Sequence, residues 1–135
     1  MFDASARLMS ENHVAVWIDH KEAKIYRINA ESFDVSKVVA PHHHVKHKAA
    51  EQGTHVDAHG YFHEIASLLK GASSLLIVGP ASAKLDFIRH LQRHEHALEE
   101  KICGVETVDH PSDAQFVAYV RHYFDDERRH GKTTV

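Results

Sequence analysis

At 135 residues the chain has the length of one ordinary domain, and a domain of that size buries about two-thirds of its unfolded surface without a covalent staple. A hydrophobic content of 43% and a charged content of 26% describe a globular protein and exclude a disordered or fibrous one. The single cysteine excludes an internal disulfide framework, the net charge of −3 argues against a strongly basic nucleic-acid binder, and no apolar run approaches the roughly 20 residues of a membrane span.

Residues 1–11 read as a loose leader, 12–126 as one domain and 127–135 as a charged tail. The opening MFDASARLMSEN has neither a basic leader nor an apolar core, so no signal peptide is expected and the expected location is the cytoplasm. His13–Asp19 carries apolar residues on both faces, as a central strand does. Asp19-His20-Lys21-Glu22 is a polar turn, with Asp19 as its turn-forming residue, and Ala23–Ile28 returns as the second strand. After a turn at Asn29–Ser32, Phe33–Val39 alternates as a third, more exposed strand. Pro41–Val56 lacks apolar periodicity and is rich in histidine, which predicts a long loop.

Asp57–Lys70 is predicted as a helix with Tyr61, Phe62, Ile65, Leu68 and Leu69 on its core face, ended by Gly71. Ser74–Val78 is an unbroken apolar run, the pattern of a strand buried on both faces. Gly79 and Pro80 turn the chain into a helix expected to run from Pro80 to about Glu99. Ile102–Val108 is a fifth strand, and Cys103 within it reads as a buried, inert thiol. Ser112 and Gln115 form a capping-box pattern before a last helix that buries Phe116, Val120, Tyr123 and Phe124. The order β-β-β-α-β-α-β-α predicts an α/β fold with a mixed five-stranded sheet covered by helices: short turns make the early strands antiparallel, and helical connections make the later ones parallel to the first.

The segment Leu75–Leu91 (LLIVGPASAKLDFIRHL) is a strand, a Gly-Pro turn and a helix with Lys84 one turn in. It resembles the corresponding stretch in the middle domain of archaeal and eukaryotic peptide-chain release factors and of Pelota. The opening hairpin Val14–Tyr26 resembles the start of small bacterial relatives described as translational machinery proteins. The resemblance spans roughly residues 12–124 and implies a ribonuclease H-like sheet. It also implies a translation accessory of release- or rescue-factor type, with the ribosome or tRNA as partner and no DNA, membrane or cofactor. In the release factors the connection before the first helix holds a Gly-Gly-Gln tripeptide that helps water attack peptidyl-tRNA. This chain has only Gln52-Gly53 there, so hydrolysis by that route is not expected and no catalytic residue is assigned. Pelota also lacks the tripeptide and uses a basic loop.

Candidate RNA contacts follow. Histidine makes up 15 of the 135 residues, and each gains a proton near pH 6.5 when unperturbed, so RNA binding is expected to strengthen as pH falls. The loop supplies His42, His43, His44, Lys46, His47 and Lys48 for RNA phosphates; a solvated loop without specific contacts is the plainer reading. The helix start at Gly79 and Pro80 presents backbone N–H groups to a phosphate, with Lys84 expected as an open ammonium beside them. Arg89 and Arg93, with His90, His94 and His96, read either as an exposed basic face or as an RNA-facing surface continuous with Lys84. A metal-dependent hydrolase or metal-binding protein is the alternative, through His55, His59 and His63, each four apart. Asp19 and Glu64 are carboxylates placed as a two-metal nuclease would need, but Gly79-Pro80 stands where a third is wanted, and Asp86 lies a turn further on inside a helix. No GxSxG or phosphate-cradling glycine loop is present.

Overall fold

The structure is a computed structural model that describes residues 13–29, 31–41 and 58–130, without the side chains of 126–130. Five strands form one mixed sheet: β1 (His13–Ile18), β2 (Glu22–Ile28), β3 (Phe33–Val39), β4 (Ser74–Gly79) and β5 (Ile102–Thr107), in the order β3-β2-β1-β4-β5. β1 pairs antiparallel with β2, and β2 with β3, as short turns dictate. β4 lies parallel to β1, Val16 opposite Ile77, and β5 parallel to β4 with a register shift between Leu75 and Leu76. The two strands with unbroken apolar runs, β1 and β4, are the inner ones, and the alternating β3 is an edge on which only Val38 is buried.

Alternation along β1 and β4 sends side chains to two cores. Val14, Val16, Ile18, Leu75 and Ile77 face α1 (described over 58–67) and α2 (Ala83–His94), meeting Phe62, Ile65, Phe87 and Leu91. Ala15, Trp17, Leu76 and Val78 face α4 (Asp113–His130), meeting Phe116, Val117 and Val120. The result is a three-layer sandwich in which every expected strand is present.

Local chemistry explains the joints. The Asp19 carboxylate accepts from the backbone N–H groups of Lys21 (2.8 Å) and Glu22 (2.9 Å), which makes the β1–β2 turn as expected. Gly71 closes the first helical segment at φ 87°, a left-handed conformation that a side chain disfavours. The capping box is reciprocal: Gln115 N–H donates to Ser112 Oγ, and Ser112 N–H donates to Gln115 Oε1, both at 3.1 Å. From α4, Arg121 donates to the carbonyls of Asn29 and Ser32 (both 3.2 Å), fastening that helix to the β2–β3 turn.

The helix expected over Pro80–Glu99 differs. It starts at Ala83 and breaks at Glu95, whose backbone (φ −143°, ψ 66°) leaves the helical region, and α3 (His96–Glu99) follows. One straight helix of twenty residues would reach about 30 Å, whereas a six-residue strand spans about 20 Å. The break turns the chain back, buries Leu98 and delivers Lys101 to its hydrogen bond with Leu75 (2.9 Å) at the start of β5. Cys103 is half-buried, its thiol 3.3 Å from the Leu75 carbonyl oxygen, because β5 is the other edge of the sheet. α4 runs on into the segment read as a charged tail.

Candidate functional site

The corner after β4 is built by contact. A side chain at Gly79 would run into the carbonyl oxygen of Ile18 on the neighbouring strand, so the glycine is required by close approach and not by an unusual φ. Pro80 is half-buried, and Ser82 occupies the N-cap position without a side-chain cap bond. The Ser82 carbonyl oxygen accepts from Leu85 (3.0 Å) and Asp86 (3.2 Å).

Lys84 departs from the expected geometry. Its ammonium folds back and donates to the Ala81 carbonyl oxygen at 2.7 Å, and the residue is only 8% exposed. Helical spacing explains this: Lys84, Phe87 and Leu91 share the buried face of α2. The ammonium therefore holds the helix start together and is not an open cation at the corner.

Arg89 and Arg93 are exposed on α2 as expected. Arg89 pairs with Asp86 (3.1 Å), which also lies 3.6 Å from His20 Nε2 at the β1–β2 turn. These groups border a cleft of about 670 Å³ whose other walls are Ala58, His59 and Phe62 of α1 and His90, Arg93 and His94 of α2. His59 and His94 are exposed, whereas His90 is buried at 6% exposure. The rings pack closely: His90 and His94 have centroids 4.7 Å apart, His59 and His90 5.0 Å, and His59 and His94 5.1 Å. Phe62 closes the inner side, 5.7 Å from the His90 ring.

His90 Nε2 is buried without a hydrogen-bond partner among the described residues. Burial is the main force that pushes its pKa down to about 4, and the neighbouring His94, His59 and His63 push the same way against Glu95. At neutral pH the ring is uncharged, with a nitrogen facing the cluster. One ring nitrogen from each of His59, His90 and His94 lies within 4.8 Å of the others.

That grouping was not legible as a set. His90 reads from the sequence as part of a basic face, yet it follows Ala83 and Phe87 at the spacing of the buried side of α2. Of the expected metal set, His63 stacks on His59 with centroids 6.2 Å apart but is not part of the close three-nitrogen group. His55 lies outside the described residues, as do His42, His43, His44, Lys46, His47 and Lys48. Asp19, Glu64 and Asp86 are not brought together; the three histidines are the one such metal-sized group among the described residues. Tyr26 donates to Asp113 (2.8 Å) on the opposite face of the sheet, which holds the Asp113 carboxyl below its usual range; partial burial opposes this and Lys24 assists it.

No helix among the described residues is long and apolar enough to cross a membrane. No protein-family model and no curated protein match the sequence. Solved structures do match. Pelota from Archaeoglobus fulgidus aligns at a TM-score of 0.63 and 16% identity, over 90% of this chain and 35% of that one. An archaeal translation termination factor, aRF1, aligns at 0.61 and 13%, over 93% and 42%. Pelota from Thermoplasma acidophilum aligns at 0.56 and 22%, over 77% and 30%. The chain spans less than half the length of each. At these identities the likeness is one of fold, and this chain is built like a domain-sized part of Pelota and of the archaeal termination factor.

Proposed function

We propose that the chain is a translation accessory of the release- and rescue-factor kind, docking on the ribosome or on tRNA in the cytoplasm. The observation that carries this reading is the alignment of nine-tenths of the chain with part of Pelota and of a translation termination factor. We read the fold as ribonuclease H-like, supported by the strand order and by a β1 that is antiparallel to β2 and parallel to β4. Residues 12–126 are taken as its single domain, related to the bacterial translational machinery proteins.

RNA contact falls to the basic side chains that remain exposed. Arg89 and Arg93 are exposed along one cleft and match phosphate geometry. RNA contact is also assigned to His42, His43, His44, Lys46, His47 and Lys48, which lie outside the described residues, and to the Gly79–Pro80 corner, where Lys84 acts as a strut. Gly-Gly-Gln is absent from the sequence, so the role is docking without peptidyl-tRNA hydrolysis.

Co-sedimentation with ribosomes through sucrose gradients tests this reading. Association is expected at low salt and to weaken as salt rises; joint replacement of Arg89 and Arg93 by alanine lowers the salt slope by roughly one for each phosphate no longer neutralised. Absence of the chain from the ribosomal fractions at low salt and mildly acidic pH overturns the reading.

A further inference from the structure

We propose that His59, His90 and His94 form a binding site for one divalent transition-metal ion of the zinc type, held between α1 and α2. Two helices converge to make it. His90 and His94 stand four apart on α2, so their rings project from one side, and His59 reaches across from α1. Their ring nitrogens already lie within 4.8 Å of one another. A zinc–imidazole bond of 2.0–2.1 Å sets the edge of a tetrahedral site at about 3.3 Å. Closing the set therefore needs movements of about 1.5 Å or less, which the exposed His59 and His94 can make by side-chain rotation.

His90 supplies the second, independent observation. A buried polar atom normally has a hydrogen-bond partner, and His90 Nε2 has none among the described residues while its ring packs against the other two. An ordinary core histidine would have been satisfied by a carbonyl or carboxylate. Asp86, the carboxylate of this cleft, is engaged by Arg89. A metal ion would satisfy the buried nitrogen.

The donor chemistry selects the ion. Three imidazoles without a thiolate suit zinc, nickel or copper in their divalent states; magnesium and calcium want oxygen ligands. Three protein ligands leave a fourth position facing the cleft, open to water or an anionic ligand. The site stands whether or not the chain binds ribosomes.

Zinc titration by calorimetry tests the proposal, on untagged full-length chain purified without nickel resin and freed of metal. One ion per chain is expected. Cobalt substitution should give the intense visible bands of a four-coordinate ion. His59→Ala and His94→Ala alter exposed side chains, so they leave the fold intact by circular dichroism. Each should weaken zinc binding by roughly 100-fold or more, since losing even an outer-shell partner costs about 10- to 100-fold. Joint replacement of His42, His43 and His44 by alanine should leave the affinity unchanged. No stoichiometric binding overturns the proposal; so does an ion whose affinity survives His59→Ala and His94→Ala but falls with the loop histidines.

Discussion

Replacing His90 with leucine should make the metal-free protein more stable, which is unusual for a core substitution. The residue is 6% exposed, and its Nε2 is unpartnered among the described residues. An unsatisfied buried polar group costs about 1–3 kcal/mol, and an apolar side chain of similar volume removes that term. Against it stands the ring contact with buried Phe62 that leucine forgoes, worth about 0.5–1.5 kcal/mol; the rings of His59 and His94 belong to exposed side chains, and their contacts with His90 add little. The balance is a gain of about 1 kcal/mol, or roughly 4 °C in melting temperature for a domain of this size. Urea denaturation in chelator at pH 7.5 reads it as a higher midpoint at unchanged slope. A second readout fixes the cause. The unfolded chain takes up the His90 proton near pH 6.5, but the folded protein holds it off until about 4. His90 therefore makes the wild type lose stability as pH falls from 6.5 toward 4, and the leucine variant lacks that share of the loss. A variant destabilised by more than about 1 kcal/mol at pH 7.5 would show that His90 packs as a needed core group, and would refute the reasoning.

Gly79→Ala should destabilise the fold by about 1–3 kcal/mol in thermal melts, because the added methyl meets the Ile18 backbone carbonyl at the end of the β1–β4 pair. Ser112→Ala removes one arm of the capping box and should lower stability by about 1 kcal/mol in urea, with Ser112→Asp restoring much of it. Asp113 is held below its ordinary pKa first by the Tyr26 hydroxyl, so its contribution to stability is present above pH 3.8 and is lost as pH falls through the lowered value. Tyr26→Phe should move the Asp113 carboxyl titration upward in NMR, and an unmoved titration would refute the role of the hydroxyl.

Much of the architecture was legible from local pattern. Unbroken apolar runs place β1 and β4 inside the sheet, and the alternation of β3 places it at an edge, because burial on two faces or one is written in each strand's own residues. Asp19 at its turn and Ser112 with Gln115 at a helix start are equally local, since their hydrogen bonds close within three residues.

Three-dimensional packing decided the rest. Lys84 turned inward because α2 rolls that side onto the sheet, and Glu95 broke the helix because the chain had to return to β5. The histidine cluster depends on α1 and α2 lying side by side on one face of the sheet, so that His59 meets residues far along the chain. Periodicity tells which face of a helix is buried, but not which other helix will stand against it. That neighbour is set by strand order and by the placement of helices over the sheet, and only tertiary structure contains both.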